Sequence, residues 1–134
     1  MTLGQFRRYA MKPAIPILRI FDEARAMEFY RDFLGFTVDW EHRFGENFPL
    51  YCQVRRDDCV LHLSGHSGDA TPGSHVRIEM ENVRNFCAAL RAKDHKYCKP
   101  GDPEMMEWGN LEITVSDPFG NGLTFYECPQ KKGD

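Results

Sequence analysis

The chain has 134 residues, 42% hydrophobic and 28% charged, with a net charge of −3; it makes one domain, or two half-domains that share a core. That charge argues against a nucleic-acid partner and mildly for a cationic one. No run is long and apolar enough to span a membrane, and the first twelve residues carry Arg7, Arg8 and Lys12 but no apolar stretch of a signal peptide.

Residues 1–13 are expected to form an extension or arm. Ala14 to Ile20 is a short apolar run that fits a strand, held to an edge or early position by Pro13 and Pro16. Asp22 caps a helix, with Glu23 favourably placed in its first turn. Ala26, Phe29, Tyr30, Phe33 and Leu34 recur at the spacing of one buried helical face, and Gly35 ends the helix. Strands are expected over Thr37 to Phe44, Leu50 to Val54 and Cys59 to Ser64, with a hairpin turn at Arg55 to Asp58.

Gly65 to Gly73 is a polar linker. A second unit then opens with the alternating strand His75 to Met80. Asn82 caps its helix, and Val83, Phe86, Cys87 and Leu90 form its buried stripe. Lys99 to Met105 reads as a loop, Trp108 to Ser116 as a strand, Asp117 to Asn121 as a turn and Leu123 to Glu127 as the last strand. A polar tail covers residues 129–134. The five cysteines (Cys52, Cys59, Cys87, Cys98 and Cys128) are odd in number and lack zinc-type CxxC spacing, which suits reduced thiols in a cytoplasmic protein.

The two halves say the same thing 60 residues apart. Ile20, Asp22, Met27 and Tyr30 answer to Met80, Asn82, Cys87 and Leu90. The fold class is therefore α+β: two βαβββ modules, over residues 14–64 and 74–128, forming curled mixed sheets around a cleft with helices outside.

That duplication resembles the vicinal oxygen chelate superfamily, which includes glyoxalase I, fosfomycin-resistance enzymes, extradiol dioxygenases and bleomycin-resistance proteins. The residues that carry the likeness are Ile17 through Asp22, Phe29-Tyr30, Leu34-Gly35-Phe36, Trp108-Gly109 and Asp117-Pro-Phe-Gly-Asn121. The segment from Leu34 through Trp40, the strand end at Leu61 to Ser64, and Glu107-Trp108-Gly109 look most like the bleomycin-resistance branch. The resemblance implies a homodimer that sequesters a planar, cationic glycopeptide antibiotic in a groove, without catalysis. Whether that groove forms within one chain or between two stays open.

The enzymes of the superfamily hold a divalent metal at four strand positions, which here carry Ile15, His62, His75 and Thr124. Ile15 cannot donate and Thr124 is a weak neutral ligand. The expectation is no cofactor, with His62 and His75 left as the metal candidates and any divalent ion adventitious. The competing reading is a metal-assisted lyase, isomerase or oxygenase acting on a small oxygenated substrate.

For the binding reading, the resemblance makes Trp108 the ring that stacks on the drug, with Gly109 allowing close approach to its backbone. Phe44 or Phe48 opposes it. Trp40, alternating with Val38, reads as packing or groove edge. Asp102, Glu104 and Glu107 in the loop before Trp108 supply acidic groups for a cationic tail, with His62 nearby in the groove. Arg19 is either a substrate-facing cation or the partner of a buried carboxylate.

Overall fold

Pro16 has no backbone N–H, and regular pairing starts only at the next residue. In this computed structural model, which describes residues 9–96 and 98–129, strand β1 spans Ile17–Arg19. Helix α1 (Glu23–Met27) follows and runs on as a π-helical segment (Glu28–Phe33). Then come β2 (Thr37–His42), β3 (Tyr51–Arg56) and β4 (Cys59–Ser64). The second half contains β5 (His75–Glu79), α2 (Val83–Ala92), β6 (Glu104–Met105), β7 (Leu111–Ser116) and β8 (Gly122–Glu127).

The fold is α+β, two βαβββ modules with one four-stranded mixed sheet each, as the duplication implied. The sheet orders correspond, β1-β4-β3-β2 and β5-β8-β7-β6, and in each the first strand runs parallel to the last. Equivalent backbone bonds recur. The Ile20 N–H donates to the Ser64 carbonyl at 2.9 Å, and the Met80 N–H to the Tyr126 carbonyl at 2.8 Å.

The helices differ from their sequence pattern in instructive ways. Asp22 caps α1 as expected, its carboxylate accepting the Arg25 N–H at 2.9 Å. After Met27 the coil widens, so that the Leu34 N–H reaches back five residues to the Phe29 carbonyl at 2.9 Å. Phe29, Tyr30, Phe33 and Leu34 are all still buried. Gly35 closes the element at φ 81°, a conformation that favours glycine. Asn82 precedes α2 where expected, but its side chain caps nothing; its backbone is left-handed at φ 61°, which asparagine tolerates. The Glu127 carboxylate takes over, accepting the Val83 N–H at 3.1 Å.

Bounds also move: β1 is confined to Ile17–Arg19, and β3 runs on through Arg55 and Arg56 into the expected hairpin turn. The strand expected to reach Phe44 stops at His42. The loop expected over Lys99 to Met105 contains the two-residue strand β6, paired with β7. Trp108 sits in the turn before β7, which begins only at Leu111. The expected arm and tail lie partly outside the described residues, at 1–8 and 130–134.

One cluster of buried side chains runs through both modules, from Leu18, Phe29 and Leu63 to Val83, Leu90 and Phe125. The Asp117 carboxylate ties the modules together. Its Oδ1 accepts the backbone N–H groups of Phe119 and Asn121, both at 2.8 Å. Its Oδ2 accepts the Tyr30 hydroxyl at 2.6 Å and the Asn121 side-chain amide at 2.8 Å. Asn121 Nδ2 also donates to the Arg19 carbonyl at 2.9 Å. Burial, and the neighbouring Asp117 charge, push the Tyr30 phenol far above its ordinary pKa, so it stays a donor. None of the five cysteines is joined in a disulfide, and burial pushes the Cys52 thiol up to about 11, away from thiolate chemistry. Among the described residues no helix is long and apolar enough to cross a membrane.

Tyr30→Phe removes one donor from a buried carboxylate while keeping the ring. It is expected to lower stability by about 1.5–3 kcal/mol, measured by urea denaturation, with the denaturant slope unchanged.

Candidate functional site

Each sheet turns one face to the common core and leaves the other open. In the first sheet, alternation sends Cys52, Val54, Leu61 and Leu63 inward and Tyr51, Gln53 and His62 to the open face. Trp40 joins them through a bulge. The β2–β3 register passes from Val38↔Val54 to Trp40↔Gln53, leaving Asp39 as the extra residue. Without that insertion Trp40 would follow Val38 towards the core. Instead it is 42% exposed. Its ring stacks on Tyr51 with centroids 6.0 Å apart and planes 10° from parallel. The His62 ring stands edge-on to both, at 5.3 Å from Trp40 and 5.2 Å from Tyr51.

Polar atoms link this aromatic shelf into a chain. His62 Nδ1 lies 2.7 Å from the Tyr51 hydroxyl, and His62 Nε2 lies 2.9 Å from Gln53 Oε1. Gln53 Nε2 donates to Asp39 Oδ2 at 2.8 Å, and Arg55 Nε donates to the same oxygen at 3.0 Å. Burial pulls the His62 pKa below the ordinary histidine value, which favours the neutral ring. Burial also raises the Tyr51 phenol, and the Asp69 charge nearby adds to that rise. Asp69 is held by the Ser64 hydroxyl at 2.6 Å.

The open face of the second sheet centres on Glu112, whose side chain is only 4% exposed. Glu112 Oε2 accepts from Arg77 at 2.7 Å and from the Trp108 indole N–H at 2.9 Å. The Arg77 guanidinium in turn lies over the Tyr126 ring, 4.5 Å from its centroid. Hydrogen bonding to Arg77 holds the Glu112 carboxyl below its ordinary pKa, against the effect of burial and with help from Trp108. The indole is therefore pinned at its polar edge while the residue as a whole stays 63% exposed. The turn that carries it is closed by the Gly109 N–H on the Met106 carbonyl at 2.9 Å, with Gly109 at φ 94°.

The other residues singled out in the sequence are spread around these faces. Phe44, 71% exposed, stands edge-on to His42 and His66 in the loop after β2. Phe48 is exposed in the same loop, and its carbonyl accepts from Arg43 at 3.3 Å. Glu104 and Glu107 are exposed near Trp108, whereas Asp102 is paired with Arg91 at 2.5 Å. Arg19 meets no carboxylate in its hydrogen bonds: it donates to the Ile20 and Gly65 carbonyls at 2.7 and 2.8 Å and lies over Phe21. It lines a shallow cavity of about 340 Å³ with Phe21, Glu23 and Pro49. A cavity of about 390 Å³ beside α2, between Arg84, Arg91 and Asp102, has no aromatic wall and lies apart from both faces.

Sequence reasoning missed Tyr51, Gln53, Arg77 and Glu112. The alternation of Tyr51 and Gln53 with Cys52 and Val54 carries a legible signal for the first pair. Nothing local marks Glu112, whose role depends on Arg77 from another strand.

A divalent metal does not fit the four inherited positions. Ile15 offers hydrocarbon. Both His62 ring nitrogens are engaged, and His75 Nε2 is bonded to the Thr124 hydroxyl at 2.8 Å. Among the described residues no three His, Cys, Asp or Glu side chains are grouped to hold a metal ion.

A family model described as "Glyoxalase superfamily protein" matches residues 2–134. No curated protein matches the chain. Among solved structures, a bleomycin-binding protein complexed with bleomycin is 22% identical, with a TM-score of 0.65 over 87% of this chain and 98% of that one. TnmS3, an antibiotic-binding protein from Streptomyces sp. CB03234, is 21% identical, with a TM-score of 0.71 over 90% and 99%. A member of the glyoxalase/bleomycin resistance protein/dioxygenase superfamily from Sphaerobacter thermophilus is 19% identical, with a TM-score of 0.67 over 87% and 98%. At these identities the likeness is one of fold.

Glu112→Ala, which removes both acceptor oxygens, should release the Trp108 edge, seen as a shift and faster exchange of its indole N–H resonance, with little change at Trp40. The depressed Glu112 pKa stabilises the fold above the unfolded carboxyl value, and that contribution is lost as pH falls through the folded value. The acid limb of the stability–pH curve, followed by urea denaturation, should therefore be shallower in Glu112→Gln than in the natural chain.

Proposed function

Within the glyoxalase superfamily, to which this chain belongs, we propose that it is a small-molecule-binding protein that sequesters a planar, cationic ligand of the glycopeptide-antibiotic type. The observation that carries this reading is the pair of open aromatic faces. Trp40 stacks with Tyr51 on one sheet, and Trp108 stands held by Glu112 on the other. Large exposed rings on a folded surface mark a site of interaction, and a flat heteroaromatic gains about 0.5–1.5 kcal/mol per stacked pair beyond the area it buries. Carboxylates at both edges, Asp69 by Tyr51 and Glu104 and Glu107 by Trp108, suit a cationic tail. Phe44 and Phe48, both exposed, are the candidates to oppose Trp108 across the groove. That structural relatives include a bleomycin-binding protein and an antibiotic-binding protein adds support.

The same reading makes the protein a homodimer. Two copies related by a two-fold axis would set the Trp40 face of one chain against the Trp108 face of the other, covering both and forming one groove twice. The metal-assisted alternative has less behind it, because the donor set described above does not fit a metal.

Metal-free bleomycin titrated into chelator-treated protein by calorimetry tests the reading. The expected result is submicromolar binding at one drug per chain, weakened about 3- to 10-fold by Trp108→Ala or Trp40→Ala. Absence of heat together with absence of any thermal shift would remove this drug as the ligand. Sedimentation equilibrium should give twice the chain mass; a monomer mass at micromolar concentration would remove the shared groove.

A further inference from the structure

The chain of hydrogen bonds on the first sheet has a direction, and the direction is set at one end by a charge. The Asp39 carboxylate can only accept, so the group facing it must be the Gln53 amide nitrogen, and Gln53 Oε1 must face His62. An acceptor opposite His62 Nε2 requires that nitrogen to carry the proton. In the neutral ring Nδ1 is then an acceptor, and the Tyr51 hydroxyl must spend its one proton on it. Arg55, donating to the same Asp39 oxygen, keeps the carboxylate in place.

From this we infer that Tyr51 presents only lone pairs to the open face, and that the shelf formed with Trp40 selects planar ligands carrying an N–H donor at their edge: an amide, an amine or a guanidinium. The inference rests on the proposed binding of a planar small molecule and adds which edge chemistry that site accepts. A free tyrosine hydroxyl would not discriminate, since it can rotate to donate or accept. Here the rotor is fixed by a neighbour that is fixed in turn, through His62, Gln53, Asp39 and Arg55. The packing around it agrees. The Tyr51 ring runs nearly parallel to Trp40, with centroids 6.0 Å apart, so the phenolic oxygen stands at the rim of a flat aromatic surface. Asp69, held by Ser64, adds negative potential at the same end. A ligand edge bearing only acceptors, such as an ester or a carboxylate, would face an oxygen with no proton to give, and lone pairs would oppose lone pairs.

Two neutral probes of nearly equal shape test this: a bithiazole primary carboxamide and the corresponding bithiazole methyl ester. Dissociation constants are read by NMR titration of the Trp40 and Tyr51 resonances. The natural chain should bind the carboxamide at least about fivefold more tightly than the ester, the worth of one hydrogen bond. Tyr51→Phe, which keeps the stacked ring, should bring the two within about twofold, and Trp40→Ala should weaken both alike. Equal binding of the probes to the natural chain would overturn the inference while leaving the binding function standing. Failure of both probes to bind while bleomycin still binds would overturn the inference alone, and failure of bleomycin as well would remove the binding function with it. A ligand-free measurement guards against variants that do not fold: nitrogen-15 shifts of His62 should report Nε2 protonated and Nδ1 an unprotonated acceptor. The opposite tautomer would overturn the direction of the chain.

Discussion

A single buried carboxylate, Asp117, holds the two modules in register. It collects two backbone N–H groups from its own turn, one amide from Asn121 and one hydroxyl from Tyr30 in the other module. A charge taken out of water is costly unless such donors replace its hydration. Four donors meet that condition only when both modules are docked. Asn121 extends the same network to the Arg19 carbonyl at the end of β1. The turn that looks in sequence like a simple chain reversal is therefore the joint of the molecule.

With the modules joined through that turn and a shared apolar core, each sheet keeps its second face free. The chemistry of those faces differs. The first carries stacked rings and a directed chain of neutral and charged groups ending at Asp39. The second carries an ion pair between half-exposed Arg77 and buried Glu112, whose chief structural product is the fixed edge of Trp108. Arg77 itself lies over the Tyr126 ring, so the pair is organised by aromatic contact as well as by charge. Both faces present flat surfaces whose orientation is set before any ligand arrives, which limits the ordering cost of binding.

Much of the fold was legible in the sequence because it rests on local rules that act twice. Apolar alternation and a helix start after each first strand recur at a fixed interval, and the structure reproduces them as two sheets of corresponding order. What escaped depended on groups distant in the chain. A bulge at Asp39 reverses the face on which Trp40 falls, and nothing in the run from Thr37 to His42 marks it. Asn82 looks like a cap by type, yet Glu127 from the last strand does the capping. The π-helical turn keeps the same residues buried as an α-helix would, so the apolar spacing cannot tell them apart. Glu112 reads as one acidic residue in an apolar strand, and its meaning comes only from Arg77 and Trp108 beside it. Arg19 went to backbone carbonyls and the Phe21 ring, a partner set that a list of charges does not suggest.

The most direct test of the central claim is a chemical-shift map of isotope-labelled protein titrated with metal-free bleomycin. Perturbations concentrated on the Trp40 and Trp108 indoles and the Tyr51 ring, with the core residues around Asp117 unmoved, are the expected result. Perturbations confined to the arginine-lined cavity beside α2, or none at all at saturating drug, would contradict it.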